Sequence, residues 1–188
     1  MHRDLTVPSE PVLRLAREDD IPSITALIEA SVRGLSGAHY SPAEIEESLV
    51  SVFGVDSQLI ADCTYFVIEC EGALAASGGW SKRTTLYGGD QVRSAPDPLL
   101  DPVTDAARIR AFYVSPRFVR RGLARLLYRT CEAAAAAAGF RRFQLGATLP
   151  GVPLYERLGF HALRRLDTPM RNGLTLGIVH MEREIGAG

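Results

Sequence analysis

Residues 108–124, Arg-Ile-Arg-Ala-Phe-Tyr-Val-Ser-Pro-Arg-Phe-Val-Arg-Arg-Gly-Leu-Ala, hold residue types that together can capture an anion. Arg120 and Arg121 bring positive charge, Gly122 offers a backbone without a side chain, and Ala124 adds only a methyl group. Leu123, Leu126, Leu127, Thr130, Ala134 and Ala138 then recur at helical spacing, up to a glycine, Gly139, of the kind that follows a helix end. A helix opening at Gly122 aims its unpaired N–H groups and the positive end of its dipole at one spot. The chemistry favoured there is binding of a phosphate or pyrophosphate; an arginine turn at an ordinary solvated helix start is the alternative.

The elements that must position this turn can be read around it. Ile109, Ala111 and Tyr113 alternate with Arg110, Phe112 and Val114, which predicts a strand ending before Pro116. That alternation puts Arg110 on the face of Phe112, as a surface residue or as a grip for an acidic acceptor. Upstream, Val12 to Leu15 predicts a strand, Asp19 or Asp20 can cap a helix that fades at Gly34, and Ser41-Pro-Ala-Glu44 opens a second helix ending at Gly54. Tyr65 to Ile68 and Ala73 to Ala76 read as a hairpin turning at Glu71-Gly72, and Gly78-Gly79 suggests a bulge or a close approach to a ligand. Residues 84–105, rich in Gly, Pro and Asp, read as a long loop: a lid or interface element near an acceptor, or disorder. Downstream come a strand through Phe143, Leu145 and Ala147, a lead-in at Pro150-Gly-Val-Pro153 to a short helix ending at Gly159, and two strands joined by Asn172-Gly173.

Two stretches carry a family resemblance. Val114-Ser-Pro followed by Val119-Arg-Arg-Gly-Leu-Ala124 resembles the acyl-CoA-binding motif of the GNAT N-acetyltransferase superfamily, (Gln/Arg)-x-x-Gly-x-(Gly/Ala). Leu154-Tyr-Glu-Arg-Leu-Gly-Phe160 resembles that family's second signature at the usual distance downstream. The resemblance covers about residues 106–160 and is faint elsewhere. It implies an α/β (α+β) fold with a mixed, mostly antiparallel sheet and helices on both faces, with acetyl-CoA as co-substrate and no metal. It implies that backbone amides of Val119, Arg120, Arg121, Gly122, Leu123 and Ala124 hold the pyrophosphate, although Val119 stands where the family has glutamine or arginine. Phe112, Tyr113 and Val114 would run beside the pantetheine arm, with the Val114 N–H polarising the thioester carbonyl. Tyr155 would touch the coenzyme and protonate or position its departing thiolate; Thr148 replaces an asparagine seven residues earlier.

The expected reaction is transfer of an acetyl group to a primary amine by direct attack in a ternary complex. A non-catalytic acyl-CoA-binding or regulatory module is the alternative, supported by the strand Arg108-Ile-Arg-Ala, which lacks the carboxylate the family frequently uses as general base. Asp105, Asp90, Glu46, Glu47, His39 or a water chain remain open as the base. Ser36 to Tyr40 falls where the family commonly walls its acceptor pocket, which gives His39 and Tyr40 a possible role there. A nucleotide-binding P-loop is disfavoured because no Gly-x-x-x-x-Gly-Lys-(Ser/Thr) stretch exists.

Bulk properties set the class. A chain of 188 residues, 46% hydrophobic, with a formal net charge of −1, suits one globular domain over 11–188 after a loose leader at 1–10. No basic surface for nucleic acid and no apolar run for a membrane stands out, so a cytoplasmic protein is expected. Cys63, Cys70 and Cys131 form no metal-ligand pair and leave one over in any disulfide scheme, which favours reduced, packed thiols. The expected partner is a small-molecule amine or a protein amine, with homodimerisation open.

Overall fold

The computed structural model describes residues 10–93, 95 and 97–186; of the expected leader only Glu10 lies within them. The chain forms β1 (Val12–Leu15), α1 (Ile21–Leu35), α2 (Pro42–Ser51), α3 (Ser57–Ala61), β2 (Tyr65–Cys70), β3 (Ala73–Ser81), β4 (Ala107–Val114), α4 (Leu123–Ala137), β5 (Arg142–Thr148), α5 (Val152–Arg157), β6 (His161–Pro169) and β7 (Thr175–Glu184). The strands make one sheet in the order β1-β2-β3-β4-β5-β7-β6, antiparallel throughout except for β4 beside β5. This is the mixed, mostly antiparallel α/β architecture the motifs imply.

Burial on both faces explains the layering. On one face Ile24, Ile28 and Val32 of α1 and Ile45 of α2 pack against Val67, Leu176 and Ile178. On the other, Tyr128, Cys131 and Ala135 of α4 pack against Phe143, Leu145, Ala147 and Met181. Each Val, Leu, Ile, Phe or Met among them contributes roughly 1.5–3 kcal/mol by leaving water. Local chemistry sets the ends: Ser41 Oγ accepts from Glu44 N while the Glu44 carboxylate accepts from Ser41 N, closing the expected capping box.

Several expectations are corrected. Asp20 does not cap α1 with its side chain; its carboxylate accepts instead from Arg17 N and from Arg14. Helix α1 runs through Gly34 to Leu35, because a side chain at Gly34 would fall 2.5 Å from Pro116 Cγ and the glycine lets the helix pack on that turn. Cys63 is exposed, at φ 57°, and serves no packing role, whereas Cys70 and Cys131 are buried. The regular alternation expected in β4 is broken. Ser77 pairs with Tyr113 and Gly79 with Arg110, so Ala111 and Phe112 together face the single residue Gly78. Ala111 takes φ 56° at this bulge. Arg110 and Phe112 therefore lie on opposite faces.

Candidate active site

Strands β4 and β5 pair only at Ala107 with Phe143 and at Arg108 with Gln144. Beyond that point they part, and the gap becomes a cavity through the sheet. Ala124, Leu154 and Tyr155 line it on the α4 face, Phe53, Tyr87 and Gly88 on the α1–α2 face, and the β4 segment Ile109–Val114 between. Gly146 and Thr148 of β5 form the far wall.

The bulge decides what this cavity sees. Ser115 N donates to Ala75 O at 2.8 Å, and an antiparallel ladder alternates its bonds, so the amides of Val114 and Phe112 point away from β3 toward the gap. Val114 N–H reaches Ser31 Oγ on α1 at 3.3 Å. Gly78 makes room for the displaced Phe112: a Cβ there would stand 2.4 Å from the Phe112 ring, so one expected glycine role, the bulge, is found. Phe112 in turn meets Tyr155, ring centroids 6.4 Å apart, and Tyr155 meets Phe160 at 5.6 Å. The Tyr155 hydroxyl makes no hydrogen bond among the described residues, and burial pushes its phenol well above the ordinary tyrosine range.

The turn entering α4 has the backbone geometry of an anion cradle. Arg120 at φ 62° and Gly122 at φ 79° are both left-handed, and Gly122, the residue preceding the helix, receives no side-chain cap. The first amides of α4 are thus left without intrahelical partners. Phe118 and Leu123 anchor the turn in the core, while Val119, Arg120, Arg121 and Gly122 are exposed beyond the cavity wall. Arg121 lies over the Phe118 ring at 4.9 Å and pairs with Glu71 at 2.9 Å; Arg120 makes no ion pair among the described residues. Phe112, Tyr113, Val114, Ala124 and Tyr155 are brought together in the cavity lining; Leu123 is buried and does not line it.

Other candidates are placed elsewhere. Tyr40 is buried, donating to Gly177 O at 2.7 Å and accepting from Leu149 N at 2.8 Å, so it ties elements together and does not line the cavity. His39 is exposed beside it, and none of Asp90, Asp105, Glu46 and Glu47 lines the cavity. Arg110 is neither exposed nor available to an acceptor. It is 2% exposed, donates to Thr85 O at 3.0 Å and to Gly88 O, and lies 2.7 Å from Asp56 Oδ2. Asp56, wholly buried, also receives Arg93 at 2.5 Å. Gly89 N and Asp90 N donate to Val52 O and Val55 O at 2.9 Å each. The part of the 84–105 segment from Thr85 to Arg93 is accordingly a strap pinned across the α1–α2 face, with Tyr87 over Gly146, whereas Leu100 and Pro102 pack on the α4 side.

Phe53, Tyr87, Gly88 and Asp56 escaped the sequence reading. Only the Tyr87-Gly88 pair carried a signal, as part of the compositionally distinct loop. Among the described residues no cluster of three or more metal-ligating side chains forms, and no helix is long and apolar enough to cross a membrane.

Comparison with known proteins places this arrangement. The chain is similar in fold to a GCN5-related N-acetyltransferase from Rhodopseudomonas palustris, with a TM-score of 0.69 at 19% identity over 95% of this chain and 98% of that one. It is similar to the PaiA N-acetyltransferase of Thermoplasma acidophilum, solved with coenzyme A, at TM-score 0.62 and 12% identity over 93% and 99%. YncA of Salmonella typhimurium, solved with acetyl-CoA, gives 0.61 and 17% over 96% of each chain. No curated protein sequence matches the chain. The model of the acetyltransferase (GNAT) family matches residues 33–160, a span that holds the parted strands, the arginine-glycine turn and Tyr155, and the chain belongs to that family.

Proposed function

We propose that the protein transfers an acetyl group from acetyl-CoA to a primary amine by direct attack in a ternary complex. One observation carries this reading: a cavity through the sheet joins Ala124, in the first turn of α4, and Tyr155 on one face to an aromatic-walled opening on the other. The pyrophosphate of acetyl-CoA rests on the amides from Val119 to Ala124, with Arg120 adding charge. Its pantetheine arm takes the place of the missing strand neighbour of β4, bonded to the backbone of Phe112 and Val114. The thioester then lies inside the sheet, its carbonyl beside the Val114 amide, which exchanges Ser31 Oγ for it. The amine enters from the α1–α2 face. Its nitrogen attacks the thioester carbon, a C–N bond forms, the tetrahedral oxyanion collapses, and the C–S bond breaks. The departing thiolate takes a proton from the neutral Tyr155 phenol or is positioned by it, and the proton shed by the attacking nitrogen passes through a water chain to restore the phenol or to protonate the thiolate.

A second reading, coenzyme binding without turnover, draws on the absence of any carboxylate among the described residues lining the cavity. Thiol release from acetyl-CoA with a mixed amine panel separates the two. Turnover that falls in Tyr155→Phe supports transfer; heat of binding to CoA with no thiol release under any amine supports the second reading. No heat with CoA or acetyl-CoA ends both.

A further inference from the structure

The α1–α2 side of the cavity has a definite chemical character. Phe53 and Tyr113 meet edge to face at 6.4 Å, a contact that fixes both rings, and Tyr87 is held over Gly146 by a hydrogen bond between its hydroxyl and that of Thr168 at 2.8 Å. The walls are therefore aromatic and set in place. Arg110 is the one charged residue lining the cavity among the described residues, and its guanidinium faces Asp56 and two backbone carbonyls. Tyr113 is half-buried, its ring packed against this wall, and its hydroxyl, like that of Tyr155, has no hydrogen-bond partner among the described residues. A hydroxyl on an otherwise apolar wall is open to a polar group of a bound molecule. Burial keeps this phenol protonated, so it offers both a donor and an acceptor lone pair.

We propose that the acceptor is a weakly basic amine on a flat, apolar body, of the arylamine class, seated between Phe53, Tyr87 and Tyr113 with the Tyr113 hydroxyl as its hydrogen-bond partner. The inference rests on the acetyl-transfer reading and names its second substrate. An alkylamine with the basicity of a lysine side chain is neutral in only about one molecule in a thousand near pH 7.5. It must lose a proton before attack, yet among the described residues no carboxylate or histidine lines the cavity to take it, and the one charged residue of the lining is the cationic Arg110. An arylamine arrives neutral. Its lone pair attacks the thioester carbon, the new C–N bond acidifies the nitrogen, and that proton leaves with the CoA sulfur, so amide and free thiol are the only products. The missing base is then no defect.

The test compares aniline and benzylamine, near-equal in shape and different in basicity, together with spermidine, at saturating acetyl-CoA. The expected result is a kcat/KM for aniline at least tenfold above that for benzylamine at pH 7, with the aniline rate flat from pH 7 to 9 and the benzylamine rate rising about tenfold per unit. Tyr113→Phe should raise KM for aniline about fivefold, the loss of one hydrogen bond. Faster turnover of benzylamine or spermidine than of aniline at pH 7 overturns the proposal, as does an aniline KM untouched by Tyr113→Phe. Coenzyme binding with no aniline acetylated also overturns it while sparing the coenzyme site; no coenzyme binding overturns the acetyl-transfer reading itself.

Discussion

Two side chains show what burial does to a titrating group here, with opposite consequences. The Tyr155 phenol, enclosed by Phe112 and Phe160, is pushed up by loss of hydration and stays a neutral acid across any practical assay range. Tyr155→Phe keeps the ring and removes the proton. Because a CoA thiolate is already a fair leaving group, kcat should fall about 10- to 100-fold, at the lower end of general-acid effects, with CoA affinity retained; thiol-release kinetics beside calorimetry check both. His180 of β7 goes the other way. Its Nε2 is buried without a partner, and burial first, then Arg164 and Arg108, depress its pKa. The unfolded chain then binds the proton more readily, so stability is full above the ordinary histidine value near 6.5 and is lost as pH falls below it. Urea midpoints should drop from pH 7 to pH 5, and the drop should shrink in His180→Asn.

At the level of elements, the cavity exists because one strand carries an extra residue and its neighbour departs after two pairs. Most elements were legible. The Ser41 to Glu44 capping box, the leucine-alanine spacing of α4 and the Asn172-Gly173 turn are local signals, each written in residues that touch one another. The bulge was not legible in β4 itself, since an alternation pattern assumes one residue opposite one, and nothing about an alanine announces φ 56°; the hint lay in Gly78 on the next strand. Helix α3, five residues long, is too short for a period to show. Arg110 was misread because its partner Asp56 lies 54 positions away, and only the folded chain brings the two to 2.7 Å. That pair also holds the strap. Asp56→Ala leaves Arg110 and Arg93 facing an empty buried position, which should cost about 3–5 kcal/mol in urea unfolding and loosen the segment around Thr85 to Gly88 toward proteolysis. The double variant Asp56→Ala/Arg110→Met should recover part of the loss, because removing both charges removes the uncompensated one.

For the molecule as a whole, a sheet parted in its middle forgoes the ladder hydrogen bonds that β4 and β5 would make beyond Arg108. A pantetheine arm bonded to β4 in that gap, as proposed, would restore part of them and so link coenzyme binding to fold stability. Ligand present at about 100 times its Kd adds roughly 2.7 kcal/mol to the folded state. In a domain of this size each kcal/mol moves the midpoint by about 2–4 °C, so CoA should raise Tm by about 5–11 °C. The origin of the shift can be divided. Arg120 is exposed and without an ion pair among the described residues, so Arg120→Glu should leave the Tm of the free protein nearly unchanged. Placed at the phosphate turn, the reversed charge should cut the CoA-induced shift by half or more at low salt, and by less at high salt, where exposed charges are screened. A shift equal in the variant and the parent protein would move the coenzyme's phosphates away from the α4 turn.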